Sequence, residues 1–252
     1  AVALAAAMGI GRFAFTPVWP LMAQEGGLSL AQGSWIASAN YAGYLLGALA
    51  AVVWPVRHPR GQLALSLLAV ALLTLAMPLI HDVAFWCALR LAAGYASASA
   101  FICVASSRPV PAGDPREPAA SGLTYAGVGA GIALTGLACL ALMAWGVRAD
   151  GMWLALGGLT LALSAIAWPG LNRAPASGRP SAAAAQPGRL SPAIPRLALH
   201  YGVFGVGYII PATFLPAMAK EVISDPAIFG WAWPLFGLCL LYTSPSPRDV
   251  EE

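Results

Sequence analysis

Seven stretches of this sequence are apolar over at least 19 residues: 1–23, 33–54, 62–80, 83–107, 119–147, 151–171 and 197–219. Between them they hold two arginines, Arg12 and Arg90, and no Lys, Asp or Glu. An eighth opens near Pro226. A helix needs about 20 such residues to cross the hydrocarbon of a bilayer. There it must satisfy every backbone N–H and C=O within itself. The runs do not alternate with period two, which excludes the strands of a membrane barrel. Only 9% of the chain is charged and 59% is hydrophobic, whereas about a quarter of a soluble domain is charged. The predicted fold is therefore all-α integral membrane: a helical bundle of about seven complete transmembrane helices plus a truncated eighth.

A repeat narrows the function. Gly9, Gly11, Pro20, Met22, Ala23 and Glu25 recur 196 positions later as Gly205, Gly207, Pro216, Met218, Ala219 and Glu221, and Trp35 recurs as Trp231. Two like halves are the sequence mark of many secondary transporters. The stretch between the repeats, NRAPASGRPSAAAAQPGRLSPAIPR, is rich in Pro, Ala, Ser and Gly and has little to bury, so it reads as a linker. The expected organisation is an N-terminal six-helix bundle at 1–171, with the start of helix 1 missing, and a cytoplasmic linker at 172–196. The first helices of a C-terminal bundle follow at 197–238. Residues 239–252 contain CLLYTSPSPRD, which resembles one reading frame of a transposase-type sequencing adapter and is left out of the fold. Residues 1–238 alone are not expected to transport.

Orientation follows from the connections. The even-numbered ones hold Arg57, Arg60, Arg108, Arg116, Arg173, Arg179, Arg189 and Arg196, and the odd-numbered ones only Arg148 and Lys220. Basic loops stay in the cytoplasm, so the first span points outward. The net charge of +3 then reports topology and implies no nucleic acid. Cys87, Cys103 and Cys139 lie inside spans as packing residues. His58, His81 and His200 form no ligand cluster, and no phosphate loop or zinc-hydrolase motif occurs. No metal or cofactor is expected, and no enzyme chemistry. One Lys against twelve Arg suits a GC-rich bacterial genome and hence an inner membrane.

Arg12 is the most consequential side chain, because a cation in mid-span is costly unless it is paired or faces water. At helical spacing Arg12, Phe15 and Trp19 share a face, as a cavity with one cation and aromatic walls would require. The alternative is a structural arginine held by backbone carbonyls or by snorkelling. No carboxylate in the seven spans neutralises it, so an anionic or zwitterionic solute is the natural partner. Asn40, Tyr41 and Tyr44 offer neutral hydrogen bonds, or serve as interfacial belt residues. Arg90 shares a face with Gly94, Ser97 and Phe101, and is close enough to one end to snorkel. Gly43 and Gly47 form a GxxxG pair suited to close helix approach. Pro17, Pro20, Pro211 and Pro216 favour kinks or mark plain helix termination.

The opening GIGRFAFTPVWPLMAQEGGLSLAQGSWIASANYAGYLLGAL resembles the major facilitator superfamily, in its YbfB/YjiJ-like branch. The Gly11-Arg12-Phe13 core, Trp35 and the Asn40-to-Tyr44 stretch carry the match. Arg90 and Gly94 are similar to the superfamily's fourth-helix RxxxG pattern. The second connection, WPVRHPRGQ, keeps basic residues but lacks the superfamily's acidic one, and the fifth span lacks the Gly-Pro of the antiporter motif. The resemblance covers residues 1–238. It implies two six-helix bundles, a central cavity and alternating access for a small-molecule solute, with the proton as a possible coupling ion. It also implies a coupling role for Arg90. Some anion carriers of the superfamily place a second Arg in helix seven, where this chain has Tyr208. The other readings are an integral-membrane enzyme and a sensor or scaffold that does not transport.

Overall fold

The computed structural model describes residues 1–54, 56, 58–107, 116–173, 193–222 and 230–242, and among these every regular element is helical. In chain order they are α1 (Val2–Gly26), α2 (Leu30–Val53), α3 (Pro59–Leu75), α4 (Val83–Ser106), α5 (Glu117–Ala144), α6 (Ala149–Arg173), α7 (Ala193–Val222) and α8 (Ala232–Tyr242). Six are long and apolar enough to span a membrane; α3, with 17 residues, and α8, with 11, are shorter. The third expected span, 62–80, therefore ends early. Pro78 cannot continue a helix, and residues 76–79 turn instead.

The assignment of 172–196 to a linker falls mostly outside the described residues, with α6 ending at Arg173 and α7 beginning at Ala193. Helix α8 continues through Tyr242, into the segment set aside as adapter-like. Residues 243–252 lie outside the described residues.

Local signals explain the helix ends. Ser29 caps α2 in a capping box with Gln32, and the Asp82 carboxylate accepts from Phe85 N–H at 2.9 Å to cap α4. Gly27 and Gly146, at φ of 65° and 69°, supply the left-handed turns after α1 and α5.

Helix α1 is the centre of the bundle, packing against α3, α4, α5 and α6. Its span is 83% buried, against 11% for α7. In lipid no hydrophobic force drives helices together, so close packing must do so. Small residues make it possible. A Cβ on Gly43 would overlap the Leu91 carbonyl, one on Gly94 the Asn40 carbonyl and one on Gly9 the Gly131 backbone. The α2–α4 and α1–α5 crossings thus bring backbone against backbone. The repeated glycines diverge here, since among the described residues a Cβ on Gly205 or Gly207 of α7 would meet nothing within 4 Å.

The first, third and fifth connections meet at one end of the bundle. There Glu25 accepts from Ala149 N–H at 3.2 Å and faces Arg148 Nε at 3.6 Å. His81 Nε2 donates to Asp150 at 3.0 Å. These groups border a cavity of about 70 Å³. Being solvent-exposed, the His81–Asp150 pair contributes at most about 1 kcal/mol.

Gly43→Leu is expected to cost about 1–3 kcal/mol or more through overpacking. Gly158→Leu, where open space surrounds the glycine, should be near neutral. Melting of the two variants in detergent checks the contrast.

Candidate solute site at the break in α1

Helix α1 is not continuous. Residues Ala5–Ile10 are π-helical, 11–14 are a turn, and a regular α-helix runs Phe15–Gly26. Gly11 N–H donates to Ala6 O and Phe13 N–H to Met8 O, one residue further back than in an α-helix. Pro17 has no N–H to give, and Thr16 N–H bonds Phe13 O in a tight turn at 3.2 Å. The carbonyls of Gly11 and Arg12 are thereby released from the ladder. Released carbonyls in a membrane must find other donors.

Two neighbouring helices provide them. Asn40 Nδ2 of α2 donates to Gly11 O at 3.3 Å and to Arg90 O at 2.8 Å. Arg90 Nη2 of α4 donates to Arg12 O at 2.8 Å. Both side chains are buried, at 1% and 2% exposure. The expectation that Arg90 might snorkel is overturned. The α2–α4 crossing at Gly94 draws the arginine inward, and its guanidinium carbon lies 5.9 Å from the Trp153 ring. Asn40 likewise spends its donors on backbone.

Arg12 itself is left without a carboxylate. Its guanidinium carbon sits 4.2 Å over the Tyr44 ring, 5.2 Å from Phe13 and 5.8 Å from Tyr41. The buried Nε has no hydrogen-bond partner. Within the seven apolar stretches there is no acid to pair with it. Cation–π contact offsets part of the desolvation cost, and Arg12 also hydrogen-bonds the Tyr44 side chain.

The break also changes which residues share a face with Arg12. Phe15 and Trp19, four apart in the regular helix, lie in one buried cluster with Met152 and Leu156 of α6. Arg12 precedes that helix and stacks on Phe13 instead, so the face expected for Arg12, Phe15 and Trp19 is interrupted. Trp19 meets Phe214 of α7 edge-on at 6.1 Å. Tyr41 hydrogen-bonds Thr213 of α7 through the two hydroxyls. Tyr208, at the repeat position of Arg12, is stacked between Phe204 and Phe236. Phe236 stacks on Trp233, which in turn approaches Phe13 at 6.1 Å.

Other candidates lie apart. Tyr95 lines a cavity of about 500 Å³ between α2, α3 and α4, at the end of the second connection. An apolar groove of about 530 Å³ runs between α3 and α6. Tyr125 packs on Phe101, and His200 bonds the Arg196 carbonyl one turn back. Thr213, Trp153 and Trp233 were missed by sequence reasoning. Thr213 falls at the repeat position of Pro17, and nothing in its neighbourhood marks it.

Six long apolar helices, packed around the first, which is broken, define a polytopic helical membrane protein. The chain belongs to the family described as the uncharacterised MFS-type transporter YbfB, which it matches over residues 4–245. No curated protein matches it.

Asn40→Ala and Arg90→Met each leave a buried carbonyl without a donor. Each should cost about 1–3 kcal/mol and speed amide exchange around residues 11–16, as hydrogen exchange by mass spectrometry would show.

Proposed function

We propose that this protein is a secondary active transporter of a small organic anion or zwitterion, with Arg12 as the charge that meets the solute. The observation that carries the reading is the half-buried Arg12 at the α1 break, set over the Tyr44 ring and with no acid in the seven apolar stretches to neutralise it. A cation at that depth persists only with a partner or with water, and discontinuous helices of transporters line their binding cavities. Tyr41, Tyr44 and Thr213 supply neutral hydroxyls nearby, and Tyr208, Trp19 and Phe15 form aromatic walls. Arg90 and Gly94 act behind this surface, holding the break in place.

In this reading the protein lies in a bacterial inner membrane, with the second, fourth and sixth connections in the cytoplasm. Residues 1–171 form one bundle, joined through the 172–196 stretch to a second that starts with α7. The proton is the proposed coupling ion. The protein acts by alternating access, without enzyme chemistry, cofactor or nucleic acid.

Arg12→Gln in cells expressing the source gene in full tests this. Uptake of the transported solute should fall at least about tenfold, roughly the loss of one charged hydrogen-bond partner, while the amount of folded protein in the membrane is unchanged. Unaltered uptake would remove Arg12 from the site.

A further inference from the structure

We propose that the cavity between α2, α3 and α4 holds the head of an anionic phospholipid of the cytoplasmic leaflet, a site separate from Arg12 and independent of its role. The cavity, of about 500 Å³, lies at the second connection, where α2 and α4 end and α3 begins. Its lining gives its depth. Gly47 lies six residues before the end of α2 at Val53, and Ser99 seven before the end of α4 at Ser106. At 1.5 Å per residue the cavity reaches about 10 Å in from the helix ends. At those ends stands Trp54, 73% exposed, and a tryptophan so placed sits at headgroup level.

The chemistry of the lining selects the ligand. Arg60, exposed in the first turn of α3, sets a fixed positive charge beside the lining residue Gly61. The WPVRHPRGQ run around it contains no acid. Exposed His58 adds a polar ring to the lining. Further in, Gln62 Nε2 donates to Ser99 Oγ at 2.8 Å, and Tyr95 stands opposite apolar Ala50 and Val53 in the same lining. Basic pockets between membrane helices on the cytoplasmic side attract anionic headgroups. Val52 and Val53, 79% and 65% exposed beside the cavity, offer an acyl chain an apolar surface. A soluble phosphate would leave that surface unused, so a lipid fits better.

The test is native mass spectrometry of the protein expressed from its source gene in full, titrated in detergent with phosphatidylglycerol, phosphatidylcholine or glycerol 3-phosphate. Phosphatidylglycerol should half-saturate at a concentration at least about tenfold below phosphatidylcholine. Arg60→Gln should raise that concentration about fivefold, the worth of one basic residue near a membrane surface. Gly61→Phe probes the cavity itself. A Cβ on Gly61 meets nothing within 4 Å, and replacing a helical glycine favours the helix, so the ring enters the cavity while the fold stands. It should raise half-saturation by phosphatidylglycerol at least about tenfold. Equal binding of the two lipids would overturn the preference for an anion, and binding indifferent to Gly61→Phe would overturn the location. Displacement of phosphatidylglycerol by an equal concentration of glycerol 3-phosphate would overturn the lipid in favour of a soluble phosphate.

Discussion

The structure depends on two carbonyl oxygens. Where α1 breaks, Gly11 and Arg12 lose their helical partners, and at membrane depth water does not replace them. Asn40 and Arg90 reach in from α2 and α4 and supply the missing donors at 3.3 and 2.8 Å. The same asparagine bonds the Arg90 carbonyl, which ties three helices at one point. One arginine braces the backbone of the other, whose own side chain lies over the Tyr44 ring, a division that their similar settings in sequence do not reveal.

That brace requires helices close enough for side chains to bond a neighbour's backbone. The α2–α4 crossing provides the proximity, through Gly43, Gly47 and Gly94, at which any larger side chain would strike the opposing helix. On the other side of α1, Gly9 and Gly131 do the same. Packing of this kind replaces the hydrophobic driving force that lipid removes. The GxxxG pair therefore acts as ordinary intramembrane packing, and its consequence is functional: it places Asn40 and Arg90 where the broken helix needs them.

The fold was largely legible in the residues. Long uncharged stretches leave few alternatives to spanning helices. The site was legible only in part. Arg12 stood out because a lone mid-span cation needs an explanation, and Tyr41 and Tyr44 lie within reach of it. Phe15 was grouped with Arg12 on the assumption of an unbroken helix, and the π segment and turn upset that register. Thr213 is 172 positions from its partner Tyr41, and no local pattern announces such a pairing. The repeat also misleads in detail: α7 runs as one helix past Gly205 and Gly207, whereas α1 breaks just after Gly9 and Gly11.

By itself the sequence determined the membrane class, the helical content, the approximate spans and the family resemblance. Each follows from local hydropathy and from motifs a few residues long. Which arginine is buried as a brace and which faces the rings, where α1 breaks, and which hydroxyls gather around the charge were decided by tertiary structure. The reason is that satisfying a released carbonyl in lipid is a contest among every donor within reach. Only the packing of α2 and α4 against α1 settles who wins it.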